Sequence, residues 1–116
     1  MPRKFIKSFK YARAGAKHAL TTQRNLWVHF FIGLAVIAFA VWLRVSLLEL
    51  AILVATIFGV IVTEMVNTSI EELVNILSPK QREEAALAKN VAAAAVLLAA
   101  AGAVVVGGLI FIPHFL

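Results

Sequence analysis

The chain has 116 residues, is 62% hydrophobic and carries a formal net charge of +5, with a mean hydropathy of +0.94. A soluble domain of this length cannot bury so much apolar side chain, so the chain is integral to a membrane. Cysteine is absent, which excludes disulfide and thiol chemistry, and the six acidic residues are all Glu.

Residues 1–24 contain Arg3, Lys4, Lys7, Lys10, Arg13, Lys17 and Arg24, most of the 11 Lys and Arg of the chain. Phe5, Ile6, Phe9, Ala12, Ala16, Ala19 and Leu20 recur between them at helical spacing. The pattern predicts a basic amphipathic helix suited to the surface of an anionic leaflet. A stretch that stays basic for so long before any apolar run is not expected to be a cleavable signal. The charge alone would suit a nucleic-acid arm, but the attached membrane segments argue against nucleic acid as a partner.

The first span is predicted over residues 26–43, with Trp27 and Trp42 at interface depth near its two ends. A very short connection at residues 44–46 follows. The second apolar run covers residues 47–77. At ~1.5 Å per residue it exceeds a ~30 Å hydrocarbon core, so its last turns should emerge on one side. Ser78-Pro79 ends it, residues 80–84 form a charged loop that includes Glu83 and Glu84, and a third span rich in Ala, Val and Gly runs over residues 85–112.

The expected fold is thus an all-α membrane protein, one domain over residues 1–116, with a surface helix and three membrane helices. All Lys and Arg except Arg44 lie in the N-terminal segment or around the second loop. The positive-inside rule therefore puts the N-terminus and residues 78–89 in the cytoplasm. Ala99, Ala103 and Gly107 follow a small-xxx-small spacing that allows close helix contact. Three spans are too few to enclose a site alone, so homo-oligomerisation is expected.

The chemistry concentrates in residues 62–75. A helix turns ~100° per residue, which brings Glu64, Asn67 and Glu71 within roughly 60° of one another, with Thr68 and Asn75 on the same stripe. A carboxylate at the centre of a membrane helix costs ~2.5–3.5 kcal/mol. Two carboxylates and two amides on one face suit divalent-metal ligation and proton transfer. Lys89, on the opening turn of the third span, has the reach to neutralise phosphate charge there, and the N-terminal helix can cover the region. From residue types alone, catalysis, a transport or proton pathway, and hydrogen-bonding between helices all remain open.

Ser8-Phe-Lys-Tyr-Ala12 with Gly15, then Arg24-Asn25 and His29, then Glu64-x-x-Asn67-Thr68-x-Ile70-Glu71, and finally Ala88-Lys89 before Ala95-Val96-Leu97 together resemble one family. It is the small prokaryotic diacylglycerol kinase and undecaprenol kinase family, and the resemblance covers nearly the whole chain. It implies a homotrimer with active sites shared between subunits at the cytoplasmic face of a bacterial inner membrane. It also implies direct transfer of the γ-phosphoryl group of Mg·ATP to a lipid alcohol, without a Walker A loop. By matching position, Glu64 would be the general base, Glu71 would hold Mg²⁺, Asn67 and Lys89 would bind phosphates, and Tyr11 would place the nucleotide. Asn25 and His29 match the undecaprenol kinase branch and would face the lipid, with diacylglycerol as the alternative acceptor.

Three positions depart from the family pattern by exchanging an acid for an amide. Gln23 stands where the family has a second metal-binding carboxylate; its oxygen can ligate Mg²⁺ but brings no charge, which implies lowered metal affinity or rate. Asn75 and Asn90, in place of Asp, keep hydrogen-bonding capacity at the phosphate site. A catalytically weakened or inactive relative that binds nucleotide or lipid is the alternative these amides raise. Outside the motif, His18 is expected as a surface residue and His114 as a terminal one, neither with a partner at ligand spacing. Glu49 lies ~22 Å along the helix from Glu64, too far for joint chemistry within one subunit.

Overall fold

The computed structural model describes residues 2–80 and 82–116. Helices α1 (Pro2–Thr22), α2 (Arg24–Leu43), α3 (Leu47–Leu77) and α4 (Glu83–Phe111) follow in order, and a single 3₁₀ turn at Ile112–Phe115 closes the chain. The boundaries fall within two residues of the sequence expectation. Glu83 and Glu84 differ: they form the first turn of α4 rather than loop, where carboxylates favour the positive end of the helix dipole. The helices α2, α3 and α4 are each long and apolar enough to cross a membrane.

Each corner is made by identifiable local chemistry. Only Gln23, in extended conformation, separates α1 from α2. The Trp27 indole N–H donates to the Leu20 carbonyl at 2.6 Å across that corner, which fixes the exit angle of α1. At the other end of α2, Arg44 takes a left-handed conformation at φ 59°. Its N–H bonds to Val41 and that of Val45 to Ala40, a Schellman arrangement that satisfies the last carbonyls of α2. Ser46 then starts α3 through a reciprocal capping box with Glu49.

Helix α3 is central: it packs against both α4 and α2, and α1 contacts mainly α2. Gly33 marks the closest approach of α2 to α3, because a Cβ there would lie 2.7 Å from Ile57 Cγ2. Ala40, Leu53 and Ile110 form a small buried cluster toward the end of the bundle that carries Arg44 and the C-terminus. Phe39 stacks with Trp42 and Phe115 beside it. Elsewhere large apolar side chains such as Phe31, Phe58 and Leu98 are exposed on the single protomer. Because α2 and α4 flank α3 and scarcely meet, a cleft opens between them with α3 as its floor.

Candidate active site

Glu64, Asn67 and Thr68 are the buried polar or charged residues among those described, at 3%, 7% and 4% exposure. They share one face of α3 as the helical period requires. Thr68 spends its hydroxyl proton on the Glu64 carbonyl one turn back, at 3.0 Å. Asn67 Nδ2 donates to Glu71 Oε1 at 3.4 Å. This sets the amide orientation, since the flipped form would put oxygen against carboxylate. Asn67 Oδ1 is left buried with no hydrogen-bond partner, at a desolvation cost of about 1–3 kcal/mol.

Facing this stripe from α2 is His29, whose Nε2 lies 3.8 Å from Glu64 Oε2, beyond hydrogen-bond length. One turn past Glu71, Lys89 Nζ on α4 donates to Asn75 Oδ1 at 3.0 Å. The lysine thus meets the stripe at its Asn75 end, nearest the connection between α3 and α4. The adjacent residue of α3, Glu72, accepts from His18 of α1.

The cleft between α2 and α4 has a volume of about 380 Å³ and is lined almost wholly by apolar groups, including Gly33, Val60, Ala103 and Gly107. His29 belongs to its wall, and Val60 precedes Glu64 by one helical turn. The apolar space therefore ends at Val60 and His29, one helical turn short of the buried carboxylate. Two residues of the small-residue stripe thus line the cleft.

The structure brings Glu64, Asn67, Glu71 and His29 together and ties Asn75 to Lys89. No side-chain hydrogen bond joins Tyr11, Gln23, Asn25 or Asn90 to this group, and Tyr11 is 74% exposed on the protomer. His18 is a surface residue and His114 a terminal one, as expected; each also meets a glutamate, His18 with Glu72 and His114 with Glu49 at 3.2 Å. Both pairings join residues far apart in sequence, so no local pattern announces them.

The donor set fits Mg²⁺. The Glu71 carboxylate and the unpartnered Asn67 oxygen are hard ligands side by side, and Mg²⁺ is commonly held by one or two carboxylates with phosphate and water completing the shell. Among the described residues no group of three or more His, Cys, Asp or Glu stands ready to hold a metal alone, so nucleotide phosphates would complete the set. The free Asn67 atom is an acceptor; to contact a phosphate instead, its Nδ2 has to leave Glu71.

These features define a three-span membrane protein with a carboxylate–amide site in the second half of its central helix and an apolar cleft that ends one turn before it. The chain belongs to the prokaryotic diacylglycerol kinase family, whose model matches residues 10–111. It is 43% identical over 110 residues to a diacylglycerol kinase of Synechocystis sp., a match covering 94% of this chain and 63% of that protein. It is 34% identical over 110 residues to an undecaprenol kinase of Bacillus subtilis, covering 95% of this chain and 89% of that one. The names of both relatives are those of kinases acting on lipid alcohols.

Proposed function

We propose that this chain phosphorylates a membrane lipid alcohol by direct transfer of the γ-phosphoryl group of Mg·ATP, with undecaprenol as the acceptor. The observation that carries the reading is a buried carboxylate, Glu64, one helical turn beyond Val60 in the wall of an apolar cleft. A lipid tail in that cleft would bring its hydroxyl to the base. Asn25 and His29, shared with the undecaprenol kinase branch, support the polyprenol. The 43% identity to a protein named diacylglycerol kinase supports diacylglycerol as a second acceptor.

In this reading Glu64 accepts the hydroxyl proton as the lipid oxygen attacks the γ-phosphorus, a step that general-base catalysis accelerates by ~10²–10⁴-fold. Glu71, with the Asn67 oxygen and Gln23, would hold Mg²⁺, which neutralises phosphate charge when bound. Lys89, with Asn75 and Asn90 beside it, binds the phosphates, and Tyr11 on α1 places the nucleotide. A homotrimer would complete each site from a neighbouring subunit. Helix α1 would lie on the cytoplasmic surface of the bacterial cell membrane, with its exposed Phe5, Ile6 and Phe9 in the lipid, and the site would open to the cytoplasm.

The test is purified protein in lipid nanodiscs with labelled Mg·ATP and either undecaprenol or diacylglycerol. Label is expected in undecaprenyl phosphate first and in phosphatidic acid second. A folded oligomer that labels neither lipid overturns the reading. The acid-to-amide exchanges are tested in the same assay with Q23E and N90D: little change marks a competent site, and a large gain marks a weakened one.

A further inference from the structure

We infer that His29 is the proton outlet of Glu64, an inference that rests on the kinase reading of the site. A buried base has two tasks: it must take a proton and then lose it before the next turnover. The first is met by geometry near the cleft end. The second is a problem for Glu64, whose side chain is only 4% exposed.

The neighbours of Glu64 offer few exits. The Thr68 hydroxyl proton is committed to the Glu64 backbone carbonyl. The Asn67 N–H is directed at Glu71, and an amide does not carry protons in either case. Lys89 is held by Asn75 and His18 by Glu72. Among the described residues His29 is the one cationic or titratable nitrogen in ion-pairing range of the Glu64 carboxylate, and Glu64 is the one carboxylate in range of His29.

His29 also has the right exposure for a carrier. Its side chain is 23% exposed against 4% for Glu64, so it touches the buried carboxylate on one side and the outside on the other. A gap of 3.8 Å is too long for direct transfer, but one water or a small rotation about χ1 closes it, and catalytic contacts of this kind tighten when substrate is bound. Imidazole is the side chain that gains and loses a proton near neutral pH.

The sequence of events balances. The lipid O–H bond breaks and its proton goes to the Glu64 carboxylate. The lipid oxygen forms a bond to the γ-phosphorus, while the bond from that phosphorus to the β–γ bridging oxygen breaks and its electron pair leaves on ADP. Protonated Glu64 then gives its proton to the lone pair of neutral His29 Nε2, and the imidazolium releases it to water. One proton leaves per lipid phosphorylated.

The experiment uses the full chain in lipid nanodiscs with Mg·ATP and undecaprenol, comparing the unsubstituted protein with H29A and H29Q. H29A is expected to lower kcat by about tenfold or more, with the lipid KM changed less than about twofold, and added imidazole should restore much of the lost rate. H29Q, which keeps the bulk and polarity of the side chain but cannot relay a proton, should be as slow as H29A and insensitive to imidazole. Size-exclusion chromatography verifies the assembly, and H29Q carries the comparison where H29A does not assemble. A raised lipid KM at unchanged kcat makes His29 a headgroup contact and overturns the inference, as does a kcat loss in H29A that imidazole leaves untouched or an H29Q variant with the parent's kcat. Absence of transfer by the unsubstituted protein overturns the kinase reading itself, and the proton outlet with it.

Discussion

At its first turn and at its middle, α3 sets a glutamate beside a histidine, and the two pairs differ in how far their polar atoms are satisfied. At the end near Arg44, Glu49 accepts the Ser46 N–H at 2.9 Å, and its own N–H reaches Ser46 Oγ at 3.1 Å. His114 Nε2 lies 3.3 and 3.2 Å from its two carboxylate oxygens. That glutamate is fully occupied by the fold. At mid-helix Glu64 is buried, its histidine stands off at 3.8 Å, and the neighbouring Asn67 Oδ1 has no partner. Stability alone gives no reason to keep a buried carboxylate and a buried orphan oxygen within one turn of each other. The contrast teaches that in this bundle a titratable residue on the stripe says little; what distinguishes structure from site is whether its hydrogen-bonding capacity is already used.

The largest effect should come from exchanging the two glutamates in turn. E64Q is expected to lower lipid phosphorylation by ~10²–10⁴-fold while the protein melts at an equal or higher temperature, because an ionisable group has been removed from a buried position. E49Q should leave the specific activity of correctly folded protein close to that of the parent. Equal loss of activity in both variants would break the comparison, since it would mean that the satisfied end also takes part in the chemistry.

A smaller effect of opposite kind is expected from S46A. Losing the cap should cost ~0.5–2 kcal/mol, read as an earlier thermal transition in the nanodisc, with kcat per folded protein unchanged. A drop in kcat with no loss of stability would show that the capping box communicates with the site along α3.

Much of the fold and of the stripe was legible in the sequence, and the limit of legibility has a physical cause. The helices followed from apolar run length, from the very short connection at residues 44–46, and from Ser78-Pro79 as a stop. The stripe of Glu64, Asn67 and Glu71 followed from the period of a helix. The reach of Lys89 toward the stripe followed from its place on the opening turn of the third span, but its partner Asn75 did not. What periodicity cannot supply is which residues meet across helices far apart in the chain. His18 with Glu72 and His114 with Glu49 are such meetings, set by the angle of the α1–α2 corner and by the final 3₁₀ turn. The same holds for Gly33 against Ile57 and for the cleft, which exists because α2 and α4 flank α3 without closing on each other. The unpaired state of Asn67 Oδ1 belongs here too, because a sequence shows an amide but not how its atoms are spent.

The smallest expected effect concerns His18 and Glu72, a third histidine–glutamate pair intermediate between the other two. Its side chains are 54% and 45% exposed, so the pair should contribute only ~0.2–1 kcal/mol. It is nevertheless a polar tie from α1 to α3 one residue from Glu71, and α1 carries Tyr11. Replacing His18 by Ala should therefore raise hydrogen exchange in α1 by no more than about fivefold, the factor that ~1 kcal/mol of local opening allows. An exchange rate close to that of an unprotected peptide would mean that this pair, rather than the apolar face of Phe5, Ile6 and Phe9, holds α1 in place. A modest change leaves the lipid surface as the main support for α1, with His18 only setting where along α3 the helix comes to rest.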